Sequence, residues 1–294
     1  MSASSLMIRK SRPHASVKLA IGPIELDVAS REHMIESILD KALTASSTHH
    51  VATANAQFYV LAESDSVFRD CLNRAEFVCA DGFSMGLATQ VLHGKKVDRL
   101  AGVDLVEEIC KRGAKSGLRI FFFGGRSGSA AALAEMMTQR YPGLHIAGVS
   151  CPPMGFEKSE LSLSAVLSQI RGAKPHVILV ALGAPKQELF IDQYLRNLGV
   201  PVAIGVGGSF EILTGVTRRA PEFIQRAGCE WLYRLGQEPR RLWRRYVLGN
   251  PEFLWLVSKY WFLLRRRESS RAGNAQPMPA KQNNSSHAQP TGWD

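Results

Sequence analysis

Asp81 closes the short apolar run at 77–80 and is followed at once by Gly82. A carboxylate fixed at the carboxyl end of a buried strand can take a proton from an attacking hydroxyl, because the sheet holds it rigidly in a cleft. The same Asp could instead cap the helix expected over 83–92. Thr53-Ala54-Asn55 ends another apolar run, and either lines a ligand pocket or caps the helix that starts near Ala56. Gly124-Gly125-Arg126-Ser127-Gly128 follows the run at 121–123, and Gly205-Val206-Gly207-Gly208 closes the run at 202–206. Glycines at such places let backbone amides approach a phosphate at a helix start, or simply make a tight turn. Gly183-Ala184-Pro185-Lys186-Gln187-Glu188 brings a cation, an amide and a carboxylate to a further strand end. Pro185 suits a first helical turn, and a helix start tolerates Glu188 without any ligand. Several strands that deliver glycine or polar groups to one edge predict a site for an anionic small molecule, a nucleotide foremost.

The missing patterns narrow the chemistry. There is no Walker A loop, and no D-x-D pair to hold a divalent metal on a nucleotide-sugar pyrophosphate. Glu63-Ser64-Asp65 comes near that pattern but falls on an expected helix. No His or Cys cluster has metal-ligand spacing. A bound diphosphate would therefore be neutralised by backbone amides and Arg side chains, so neither a metal nor a cofactor is expected. A dehydrogenase is disfavoured, because no full GxGxxG with a downstream ribose-binding acid follows an early strand.

These groups need a scaffold that brings strand ends together. Strand candidates lie at 51–53, 77–80, 119–123, 144–149, 177–182 and 202–206, with helices at 31–43, 103–115, 130–140, 161–171 and 185–198 between them. Several of the strand runs are apolar without alternation, as expected when helices cover both faces of a parallel sheet. Strand–helix alternation repeated in this way predicts an α/β, Rossmann-like, mostly parallel sheet with helices on both faces. At 294 residues and 45% hydrophobic composition, the chain can bury a sizeable core.

After about Gly215 the character changes. Residues 218–267 carry twelve Arg or Lys against four Glu, a net of +8 out of +10 for the whole chain. Four of the five tryptophans, Trp231, Trp243, Trp255 and Trp261, lie in the same stretch. It reads as a helical appendage whose partner is anionic: a phosphate-bearing substrate, anionic lipid or nucleic acid. Charge confined to one appendage, beside a core laid out like a nucleotide site, argues against nucleic acid. Five scattered cysteines, none spaced as CxxC, argue against a disulfide framework and fit a reducing cytoplasm. No apolar signal segment opens the chain, and the longest apolar stretch, 253–264, is interrupted by Ser258 and Lys259. That stretch suits a membrane interface and is too short to span a bilayer. The expected plan is a flexible leader (1–15), a Rossmann-like catalytic domain (16–215), a basic helical membrane-associating appendage (216–267) and a disordered tail (268–294).

Taken in order, these motifs match a known pattern. Thr53-Ala54-Asn55, Ala80-Asp81-Gly82, Arg99 with Gly102-Val103-Asp104-Leu105, and 183–188 are joined by 205–208, Arg219-Ala220-Pro221 and Glu230-Trp231-Leu232-Tyr233-Arg234-Leu235. Over residues 18–255 the chain resembles the WecG/TagA/CpsF family of bacterial glycosyltransferases. The resemblance implies inverting, metal-free transfer from a UDP-sugar to an undecaprenyl-diphosphate-linked saccharide in cell-surface polysaccharide synthesis. It implies Asp81 as the base, with Thr53, Asn55 and Gln187 holding donor and acceptor. Arg99 would meet phosphate charge, or alternatively pair with Asp98 or Asp104. The glycines Gly124, Gly125, Gly207 and Gly208, with Glu188, complete the expected substrate pocket. The resemblance also implies that the appendage closes the site and docks on the inner face of the cell membrane, with Arg234, Arg241, Arg244 and Arg245 meeting the acceptor's lipid diphosphate or anionic head groups. Arg241 and Arg244 lie three apart, on one helix face, with Arg240 and Arg245 beside them. Glu211 stands where the family favours Asp, His176 where an acid is common, and Phe190 and Phe223 where Trp is frequent. N-acetylmannosamine, its uronic acid and glucose all remain as donor sugars, and self-association into a homo-oligomer stays open.

Overall fold

The computed structural model describes residues 17–273. The expected leader, and the expected tail beyond Gly273, lie outside the described residues. The chain opens on a two-stranded antiparallel hairpin, β1 (Val17–Ile21) and β2 (Ile24–Val28), turned at Gly22-Pro23. Six further strands follow: β3 (His49–Ala54), β4 (Phe77–Ala80), β5 (Arg119–Gly124), β6 (His145–Ser150), β7 (Val177–Ala181) and β8 (Val202–Gly205). They form one sheet in the order β4-β3-β8-β7-β5-β6, and every pairing in it is parallel.

Helices α1 (Arg31–Thr44), α2 (Ala56–Ser64), α3 (Ser66–Asn73), α4 (Phe83–His93) and α5 (Gly102–Ser116) connect the first half. The second half adds α6 (Ser129–Arg140), α7 (Glu160–Ala173), α8 (Lys186–Phe190) and α9 (Ser209–Leu213). The helix expected over 185–198 is α8 followed by a wider π turn, Ile191–Leu195. The appendage is α10 (Glu222–Arg226), α11 (Glu230–Gln237), α12 (Pro239–Trp243), a π turn at Arg244–Leu248 and α13 (Gly249–Gly273). α13 thus continues past the expected start of the tail at 268.

Strand side chains alternate between two buried faces. Val51, Cys79, Ile120, Phe122, Leu179 and Ile204 pack toward α1, α5 and α6. Their neighbours Ala52, Ala54, Val78 and Ala80 pack toward α2, α3 and the hairpin, and Phe121, Phe123, Ile178 and Val180 pack toward α7 and α8. Burial on both faces is why the strand runs lack polar alternation.

The hairpin was not foreseen. It seats Ile21, Ile24 and Leu26 in the second core, beside edge strand β4. There the buried carboxylate of Asp27 accepts a 2.7 Å hydrogen bond from the Val78 amide, so this edge is covered rather than open to pairing. α13 closes the same core. Phe253, Leu256 and Val257 are buried in it, Tyr59 meets Phe253 edge-on at 5.3 Å, and Lys259 and Tyr260 both reach Glu63 at 2.6 Å. The near-miss acids of 63–65 are therefore structural: Glu63 tethers α13, and Asp65 caps α3 by accepting from the Phe68 amide.

Candidate active site

All the parallel strands end at one edge, and the polar groups gather there. The Asp81 amide donates to Ala54 O at 2.7 Å, which ties the ends of β3 and β4 together. The cap position of α4 belongs to Gly82, at φ +97°, and no side chain caps that helix. Asp81 is therefore not a helix cap. Its carboxylate lines a cavity of about 300 Å³, with Asn55, Arg99, Glu230, Trp231, Arg234, Arg245 and Tyr246 around it. Burial pushes Asp81 up to about 6; Arg99 opposes the rise, Glu230 adds to it, and Arg234 and Arg245 oppose it again. A carboxyl so poised is mostly ionised at neutral pH, yet more basic than an ordinary Asp. Asn55 caps α2 by accepting from the Gln57 amide, so it serves as both cap and pocket wall.

Arg99 meets the appendage, not its neighbours in sequence. Its guanidinium donates to Glu230 at 2.7 Å and to Gln225 at 3.2 Å. Asp98 instead accepts from the Arg31 amide, and Asp104 pairs with Arg31 and Arg219. Arg245 lines the Asp81 cavity, where burial and the like charge of Arg234 lower its pKa. Arg244 does not line that cavity; it is exposed, its guanidinium 5.3 Å from the centre of the Trp243 ring.

A second cleft, of about 640 Å³, opens beyond β5, β7 and β8, a size suited to a small molecule. Gly124, Gly125, Gly207, Gly208, Arg126, Lys186 and Arg241 line it, and Phe156, Phe190 and Tyr194 give it an aromatic wall. Arg234 lines both cavities, and its Nε is buried without a partner.

Some of the backbone amides expected to greet a phosphate are taken. The Gly125 amide donates to Ala181 O at 2.8 Å, and the Arg126 amide donates to Glu211 Oε1 at 2.6 Å. The Gly124–Gly125 turn uses its positive φ angles to pack closely: a Cβ on Gly124 would stand 2.8 Å from Ala181 O. Gln187 and Glu188 are buried and line neither cavity. Gln187 Oε1 accepts from the amides of Gly183 and Gly207, at 3.1 and 2.9 Å, while its Nε2 donates to Glu188 at 2.6 Å. Burial pushes Glu188 up to about 8, so it is largely the neutral acid at pH 7. Thr53 is buried too, donating its hydroxyl to Gly205 O at 2.8 Å. These three position the strand ends instead of lining the cavities.

The model for the WecG/TagA/CpsF family of glycosyl transferases matches residues 19–267. The chain belongs to that family. It is 32% identical over 210 residues to an N-acetylglucosaminyldiphosphoundecaprenol N-acetyl-beta-D-mannosaminyltransferase of Bacillus spizizenii, covering 71% of this chain and 79% of that protein. A protein of the same name from Bacillus subtilis is 32% identical over 209 residues, covering 71% and 78%.

In this glycosyltransferase Glu230 and Trp231, present in the sequence as part of a motif only, gain a place in the site, and Glu238, Tyr246 and Phe253 join them without any sequence signal, all brought in by the appendage. Outward, the appendage exposes Trp243, Leu248, Leu254, Trp255 and Phe262, with Lys259 over the Trp255 ring and Arg265 over Trp261. Among the described residues no helix is long and apolar enough to cross a membrane. The role of Gln187 is testable by Gln187→Leu, which leaves two loop amides without their acceptor. Urea unfolding should show a loss of roughly 1–3 kcal/mol. An unchanged midpoint would mean that the loops hold their shape without it.

Proposed function

We propose that the protein transfers one sugar, with inversion, from a UDP-sugar to an undecaprenyl-diphosphate-linked saccharide, without a metal, on the inner face of the cell membrane. The observation that carries this reading is the pair of cavities that share Arg234 as a wall, with Asp81 in the smaller one. The donor lies in the larger cleft, its base against the aromatic wall of Phe156, Phe190 and Tyr194 and its diphosphate toward Arg234 and Arg241. The acceptor sugar enters the smaller cavity. Asp81 takes the proton of its hydroxyl while that oxygen bonds to the anomeric carbon, and the bond from that carbon to UDP breaks on the opposite face. Negative charge growing on the leaving UDP is met by guanidinium groups, which act in a partly enclosed site and need no reorganisation. Arg234 and Arg241, which line the larger cleft, are assigned that charge.

Both relatives' names specify an N-acetylglucosaminyl-diphospho-undecaprenol acceptor and an N-acetylmannosaminyl group, and we assign the same acceptor class and N-acetylmannosamine here. The outward aromatic and basic face of the appendage supports membrane docking: Trp suits the headgroup level, and each cation near an anionic surface contributes about 1 kcal/mol.

UDP release from UDP-N-acetylmannosamine with a lipid-diphosphate-N-acetylglucosamine acceptor tests the reading. Asp81→Asn should lower kcat by about 10²–10⁴-fold without lowering the melting temperature. Near-normal turnover in that variant would remove Asp81 from the chemistry. Turnover of the unmodified protein should also persist in EDTA; loss on chelation with recovery on adding Mg²⁺ would refute the arginine assignment.

A further inference from the structure

Glu238 ends α11 and precedes α12, at a corner (φ −132°, ψ 60°) where Pro239 opens the next helix. Its carboxylate is paired with two arginines from different parts of the fold: Arg126, in the turn after β5, and Arg241, on α12. The Glu238 side chain is 16% exposed, while those of Arg126 and Arg241 are 51% and 57% exposed. Both arginines line the larger cleft, together with Arg234. Arg234 Nη2 lies 3.4 Å from where a Cβ on Gly208 would stand, which places the guanidinium beside the β8 turn.

We propose that Arg126 is a diphosphate-binding residue, forming a cradle with Arg234 and Arg241, and that Glu238 stands in for the diphosphate until the donor displaces it. The inference rests on the donor reading above and adds to it a residue from the catalytic core. A carboxylate and a phosphate present similar acceptor edges to a guanidinium fork, so the same pair of arginines can hold either. Guanidinium groups gathered in one cleft repel one another unless an anion lies between them. Glu238 supplies one negative charge between Arg126 and Arg241, and a nucleoside diphosphate brings more. Two main-chain amides of the turn are already bonded, Gly125 to Ala181 O and Arg126 to Glu211. That last contact fixes the backbone from which the Arg126 side chain reaches into the cleft.

Calorimetric titration of the full chain with UDP and with uridine tests the inference, on the unmodified protein and on Arg126→Ala, Arg126→Lys and Glu238→Gln. The unmodified protein should bind UDP more tightly than uridine. Arg126→Ala should weaken UDP by about tenfold or more and leave uridine unchanged. Arg126→Lys should recover only part of the loss, because an ammonium offers a point charge in place of the fork. Glu238→Gln should tighten UDP severalfold, since the competing anion is gone. Melting temperatures measured alongside separate lost binding from lost folding. UDP binding that is insensitive to Arg126→Ala, or that falls together with uridine binding, overturns the assignment of Arg126. Weaker UDP binding in a folded Glu238→Gln makes Glu238 a strut instead of a stand-in. Failure of the unmodified protein to bind either compound would overturn the donor reading itself, and this inference with it.

Discussion

Strands β3, β4, β5, β7 and β8 are covered on both faces, so their side chains have almost nowhere to carry charge except past the last residue of each strand. The polar exceptions within them are held neutral or satisfied internally. Burial pulls His50 down to about 3, and Thr53 spends its hydroxyl on Gly205. Chemistry is thereby confined to one edge of the sheet. There the core supplies Asp81 with Arg99, Arg126 and Lys186, and the appendage adds Arg234, Arg241 and Arg245.

Bringing those arginines in creates a second demand, because cations held near one another in a cleft need counter-charges. Carboxylates on both sides of the junction meet it. Glu230 and Glu238 of the appendage reach Arg99 and Arg126 of the core, and Glu63 of α2 receives Lys259 and Tyr260 of α13. The Arg99–Glu230 contact that helps hold the appendage on the core thus also shapes the field around the proposed base. Burial raises Asp81 and its arginines restrain the rise, which leaves it ionised in the range where a base is useful.

Much of this was legible in the sequence because several strand runs are apolar without alternation, the pattern expected of a doubly covered parallel sheet. Asp81 and Asn55 were legible because each directly follows a strand. The β1–β2 hairpin was not, since its strands are short, mixed in exposure and outside the main sheet. Gln187 was recognised as a position but not for what it does there, because hydrogen bonds to Gly183 and Gly207 depend on two loops meeting in space. Arg244 was expected to share a face with Arg241. The backbone widens into a π turn at Arg244–Leu248, and it is Arg245 that lines a cavity instead. Glu238 gave no signal at all, because its meaning comes from Arg126, more than a hundred residues away.

The central claim is that Asp81 acts as a base whose proton affinity is set by burial against the appendage's cations. The pH dependence of kcat/KM, measured between about pH 5 and pH 8, tests it most directly. The base must be ionised, so activity should fall with acidity through an apparent pKa near the value of about 6 that the site imposes on Asp81. Arg245 lowers that value, so Arg245→Gln should move the acid limb to higher pH. A profile without an acid limb, or one that Arg245→Gln leaves in place or moves to lower pH, would contradict the account.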